Sequence, residues 1–101
     1  MAYPIVYSPK FFENYADLHK NEQKAVDRAI HKLMNGAPTS FPRGLGVDKV
    51  ESARGIKPTV WEARANEDIR ITWQILHNEK TNEPYIFARN VGHHDDTLKN
   101  P

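Results

Sequence analysis

Ile69, Ile71, Trp73 and Ile75 alternate with Arg70, Thr72 and Gln74, and no other stretch of the chain restricts the fold as strongly. Period-two alternation makes a strand with one apolar and one polar face. Such a strand needs a hydrogen-bonded neighbour and a layer to cover its apolar face. The neighbours are legible nearby. Val60 to Ala65 reads as a strand joined to it by the tight Asn66-Glu67-Asp68 turn. The polar stretch Asn78 to Asn82 turns the chain into a last strand, Pro84 to Val91, which carries Tyr85, Ile86 and Phe87. Lys49 to Gly55 reads as a further short strand ahead of a turn at Gly55 to Pro58. At the start, Tyr3, Ile5 and Tyr7 alternate with Pro4 and Val6, and Pro4 places this strand's beginning there or the strand at an edge.

The covering layer is helical. Ser8 followed by Pro9 is an N-cap and first-turn pair, after which Phe11, Phe12, Tyr15 and Leu18 recur at helical spacing as far as His19. After a break at Lys20-Asn21, with Asn21 as the expected N-cap, Ala25, Val26, Ala29, Ile30, Leu33 and Met34 form a second apolar stripe that Gly36 stops. Gly36 to Asp48 reads as an irregular connection. The order β-α-α-β-β-β predicts an α+β fold: one twisted, mostly antiparallel sheet with a helical hairpin on one face, in a single domain over residues 1–101.

Composition narrows the function. At 39% hydrophobic and 27% charged residues the chain is globular rather than disordered. It has no cysteine, which excludes disulfides, thiolate zinc sites and cysteine nucleophiles. No apolar run reaches the roughly 20 residues of a membrane helix, and Met1-Ala2-Tyr3-Pro4 begins no secretory signal. A cytoplasmic protein without membrane contact is therefore expected. Net charge is only +1, but Arg28 to Arg64 holds seven basic residues against three acidic ones. That segment includes Lys49, Arg54 and Lys57, and with Lys24, Arg28 and Lys32 (spaced four apart opposite an apolar helix face) it supplies the candidate polyanion contacts. A solvated helix face is the alternative for the second set.

Two groups could carry chemistry. Arg64 and Arg70 sit on neighbouring strands, where a hairpin can bring two guanidiniums to one face to grip a phosphate. Pairing with Glu62, Glu67 or Asp68 is the competing reading. His93-His94-Asp95-Asp96 follows the last strand, and histidine is suited to proton transfer near neutrality, with an adjacent aspartate to orient the ring. Successive residues of a strand point to opposite faces, so only one of the two histidines is expected to face a site. No second ligand-rich segment accompanies them, so no metal or other cofactor is expected.

The run Val60-Trp61-Glu62-Ala63-Arg64, then Asp68-Ile69-Arg70-Ile71-Thr72-Trp73, then Val91-Gly92-His93-His94-Asp95, behind a helical hairpin, resembles the RelE/ParE toxin superfamily. The resemblance implies the β-α-α-β-β-β fold and a toxin of a toxin–antitoxin pair that cleaves mRNA on the ribosome, with a cognate antitoxin as its protein partner. Carried over by position, it implies that Arg70 holds the scissile phosphate with help from Arg64. His94, or else His93, transfers protons, Asp95 orients the imidazole, and Glu62 is an outside choice for the base. Two departures stand out. Thr97-Leu98 occupies the place where active members often carry an aromatic residue, and the chain is nearly neutral. They keep open a non-catalytic interaction module of the same fold, as in a degenerate toxin or an accessory domain of a helicase-like protein. The gyrase-poisoning branch is a more remote alternative.

Overall fold

The computed structural model describes residues 3–36 and 47–101. A five-stranded sheet in the order β1-β5-β4-β3-β2 is built from β1 (Ile5–Tyr7), β2 (Asp48–Lys49), β3 (Trp61–Arg64), β4 (Ile69–His77) and β5 (Pro84–His93). The pairings β2–β3, β3–β4 and β4–β5 are antiparallel, and β1 joins β5 in parallel. Helices α1 (Pro9–Ala16) and α2 (Lys20–Gly36) follow β1, and α3 (His94–Lys99) follows β5. The expected α+β architecture is present.

One face of the sheet is the core. Ile69, Ile71 and Trp73 of β4, Ala63 of β3 and Ile86, Ala88 and Val91 of β5 meet Phe11 of α1 and Val26, Ala29, Ile30 and Leu33 of α2. Trp61 lies opposite Trp73 in register and the two rings stack, with centroids 6.1 Å apart. Aromatic pairs in this arrangement add modestly to the burial of their area. Among the described residues no helix is long and apolar enough to cross a membrane.

Several boundaries differ from the sequence reading. The first helix stops at Ala16, short of His19. The second begins at Lys20 rather than behind an Asn21 cap: the Glu22 carboxylate accepts the His19 N–H at 2.9 Å and the His19 carbonyl accepts from Gln23, half of a capping box. The strand expected over Lys49 to Gly55 is only Asp48–Lys49, followed by a 3₁₀ turn at Glu51–Ala53. Val50 and Ala53, three residues apart, must face the same way to pack with Val60 and Leu98, and a helical turn does this where a strand cannot. The Gly36–Asp48 connection falls mostly outside the described residues. The polar stretch after β4 is a turn as expected: the Asn78 side chain accepts from the Lys80 and Thr81 amides, and Asn82 takes a positive φ of 59°.

The third helix has no counterpart in the sequence reading. It carries Asp95 and Asp96 in its first turn and Lys99 in its last, the charge order the helix dipole favours. With the residues after it, it folds over the polar face of the sheet. The Pro101 carbonyl accepts from Thr72 Oγ1 (2.9 Å) and Arg89 Nε (3.0 Å), and the Asn100 carbonyl accepts from Asn90 (2.8 Å). Thr72, Asn90 and Thr97 are buried in consequence, each no more than 3% exposed.

Candidate functional site

Strand register decides which polar side chains share the face opposite the core. Arg64 pairs with Arg70, and Arg70 pairs with Gly92. The three positions form one row across β3, β4 and β5, spanning about 10 Å at roughly 4.8 Å per strand. Glu62 lies two residues along from Arg64, on the same face and opposite Thr72. His94 follows the end of this row by two residues, as the first residue of α3.

The two arginines differ in what surrounds them. Arg64 is exposed, and no described residue gives it a hydrogen bond or ion pair. Arg70 is only 8% exposed. Its Nη1 donates to the carbonyls of Asn66 (3.1 Å), Glu67 (3.1 Å) and Ile69 (3.3 Å), so the guanidinium is folded back onto the β3–β4 turn. Its Nε is buried without a partner. The Arg70 guanidinium is thus held against the turn, and Arg64 is the exposed cation of the pair.

That turn in turn holds both histidines. Asn66 Oδ1 accepts from the Asp68 and Ile69 amides and shapes it. The Asp68 carboxylate accepts a hydrogen bond from His93 Nδ1, and the Asp68 carbonyl accepts the His94 N–H at 2.7 Å. His93 also has Glu22 of α2 3.7 Å from its Nε2. The hydrogen bond to Asp68 holds the His93 pKa above its ordinary 6.5, against some desolvation, and the nearby charges of Asp68, Glu22 and Asp96 push the same way. The same bond holds Asp68 below its ordinary 3.8, with the His93 charge, the His94 amide and Arg70 assisting. The two histidines have different partners, because β5 ends at His93 and α3 begins at His94. Both side chains are about half-exposed: His93, opposite Ile69, is engaged by Asp68 and Glu22, and His94 has its Nδ1 3.2 Å from Asp95 Oδ1.

The basic residues do not gather around this row. Lys24, Arg28 and Lys32 are exposed on the side of α2 turned away from the sheet, one layer from Arg64. Arg54 is paired with Glu51 at 2.9 Å, Lys57 is exposed beside Pro58, and Lys49 lies 6.0 Å from the Trp61 ring centroid. Asp68 and Glu22 were absent from the sequence-derived site. The signal for Asp68 was available, because a tight turn between β3 and β4 and an antiparallel β5 put the turn beside the end of β5. Glu22 becomes a neighbour of His93 only once α2 is docked.

No family model matches the chain, and no curated protein matches it. Solved structures do. The structure is similar to the E. coli DinJ-YafQ toxin-antitoxin complex (TM-score 0.69, 13% identity, 95% of this chain and 97% of that one covered). It is also similar to a YoeB/ParE toxin from Agrobacterium tumefaciens (0.66, 12% identity, 90% and 98% covered) and the archaeal RelE-RelB complex from Pyrococcus horikoshii OT3 (0.63, 20% identity, 92% and 96% covered). The chain has the fold of the RelE-like toxin superfamily, across nearly its whole length.

Proposed function

We propose that this chain is the cytoplasmic toxin of a toxin–antitoxin pair, held in check by a cognate antitoxin, and that it cleaves mRNA on the ribosome. The observation that carries the reading is the Arg64–Arg70–Gly92 row with His94 at its end, on a RelE-like scaffold. In the reaction the substrate's 2′-hydroxyl attacks the adjacent phosphorus. The 2′-O–P bond forms, the P–O5′ bond breaks, and the products are a 2′,3′-cyclic phosphate and a 5′-hydroxyl. The protein supplies no nucleophile. Arg64 faces the phosphate, where a forked cation stabilises the charge of the transition state. His94 moves a proton, an effect worth roughly 10²–10⁴ in rate, with Asp95 orienting its ring. Glu62 is the alternative base, and Arg70 keeps the turn, and through it the histidines, in place.

Induced expression of the parent and of Arg64→Ala, Arg70→Ala and His94→Ala, with growth and mRNA 5′-ends followed, tests the assignment. Arrest and cleavage by the parent, lost in the Arg64 and His94 variants, is the expected result. Arrest that survives all three changes removes these residues from the mechanism. A second reading, a non-catalytic module of the same fold, is favoured by the burial of Arg70 and by the cover that α3 places over the polar face. It expects no cleavage from the parent either.

A further inference from the structure

Helix α2 sets its cations in one row and ties its carboxylates down elsewhere. Lys20, Lys24, Arg28 and Lys32 stand four residues apart, all exposed, opposite the stripe of Val26, Ala29, Ile30 and Leu33 that packs on the sheet. At roughly 1.5 Å per residue the row is about 18 Å long. None of the four forms an ion pair with a described residue. The helix's two carboxylates have other partners. Glu22 accepts the His19 N–H and lies 3.7 Å from His93, and Asp27, at the edge of the row, accepts from the Tyr15 hydroxyl at 2.7 Å. The helix itself gains nothing from this placement. Like charges four residues apart repel. Lys20 stands at the N-terminal end, where the dipole disfavours a cation, and the last turn, where a cation would help, has none.

We propose that this row docks the chain on the phosphate backbone of double-stranded RNA. The face selects that occupant over an acidic protein segment. Ion pairs between exposed side chains contribute little each, so a protein partner needs an apolar centre to its interface. Here there is none: the large apolar side chains exposed among the described residues are Val6, Phe12 and Ile56, and none lies on α2. A duplex needs no apolar contact, because each phosphate that a cation neutralises releases condensed counterions, and it carries a charge for roughly every 2 Å of its axis. A single strand is held by aromatic side chains on which bases stack, and α2 has no aromatic residue. Duplex RNA is met instead through backbone and shape. The row and the proposed cleavage site at Arg64 lie on opposite sides of the molecule, with α2 and the sheet between them. The row therefore grips a second RNA segment while the message lies at Arg64, and a ribosome offers both. The proposal deepens the ribosomal reading above and rests on it for the choice of RNA.

The test is fluorescence anisotropy of the full chain with a fluorescein-labelled RNA duplex of about 16 base pairs, over about 50 to 200 mM salt. The parent is compared with Lys24→Gln/Arg28→Gln/Lys32→Gln and with Lys24→Arg/Arg28→Lys/Lys32→Arg, which keeps the charges. Lys80→Glu, in the exposed turn after β4, lowers the net charge away from α2. Circular dichroism checks the fold of each. Four phosphate contacts at about −0.9 each predict a log–log salt slope of roughly −3.6 for the parent, and roughly −0.9 once three are gone. The triple glutamine variant should bind at least tenfold more weakly at the lowest salt, and the other two should stay within about threefold of the parent. The parent should bind the RNA duplex no more weakly than a DNA duplex or a single strand of the same length. Equal binding by the parent and the triple glutamine variant overturns the row. So does a parent that does not bind the duplex, a loss in Lys80→Glu as large as in the triple variant, or tighter binding of the DNA duplex or the single strand. Polyglutamate that displaces the duplex at matched charge concentration assigns the row to an acidic protein and overturns the RNA. Row-dependent duplex binding by a chain that neither cleaves mRNA nor arrests growth overturns the nuclease and leaves the row standing.

Discussion

Replacing Arg70 with alanine separates a positioning role from a substrate-binding one, and the structure gives its cost. Three turn carbonyls lie 3.1–3.3 Å from one nitrogen, Nη1, which has two hydrogens, so the arrangement amounts to about two full bonds. A hydrogen bond to a charged group contributes about 1.5–3 kcal/mol net. Against this, the carbonyls of the exposed residues Asn66 and Glu67 regain water once the side chain is gone, and the desolvated Nε no longer has to be buried. The expected loss is ~2 kcal/mol, which in a domain of this size lowers Tm by roughly 8–16 °C. Urea unfolding followed by tryptophan fluorescence reads this directly, since Trp61 and Trp73 lie on the strands that flank the turn. Arg64→Ala is the control: its side chain is exposed and has no described partner, so stability should move by no more than about 0.5 kcal/mol. An Arg70→Ala protein with the parent's urea midpoint would refute the reasoning, because the guanidinium would then not be holding the turn.

Further expectations follow from the same contacts. The His93–Asp68 pair should make stability depend on pH at both ends. His93 has a raised folded pKa, so its contribution is complete below 6.5 and is lost as pH rises through the folded value. Asp68 has a lowered one, so its contribution is present above 3.8 and is lost as pH falls through the folded value. Urea midpoints from pH 3 to 9 should peak between those limits, and His93→Gln should flatten the alkaline slope; an unchanged profile refutes the pairing. Ser8 accepts the Phe11 N–H at 3.0 Å and donates to the Arg89 carbonyl at 2.6 Å, tying the start of α1 to β5. Ser8→Ala should therefore cost about 1–2 kcal/mol in a denaturant titration, and a change below about 0.5 kcal/mol argues against the cap. Leu33 is fully buried between α2 and the sheet, so Leu33→Ala should cost about 2–5 kcal/mol by calorimetry, with a value under 1 indicating a site that collapses around the loss.

Much was decided by local pattern alone. Alternation along Ile69–Ile75, the 3.6-residue stripe from Ala25 to Met34, and the turn residues between strands suffice for the α+β layers, because each depends on which face of one element is apolar. The hairpin register that sets Arg64 opposite Arg70 was legible too, since a short turn leaves few ways to pair two strands. What the chain does with those side chains was not legible. Arg64 and Arg70 look equivalent in sequence, yet one is exposed and the other is turned onto three carbonyls, because only the assembled turn offers those acceptors. His93 and His94 are adjacent, and it is the docking of α2 and of the Asp68 turn that gives His93 the carboxylates of Asp68 and Glu22 as partners and leaves His94 beside Asp95. Helix α3 escaped notice because six mostly polar residues carry almost no periodic signal. Its stability comes from Leu98 on Val50, Ala53 and Val60 and from carbonyls bonded to β4 and β5, contacts between residues far apart in the chain. Local sequence sets the apolar faces. The partners of a buried polar group are set only when distant segments meet, since each donor then takes whatever acceptor the packed structure presents.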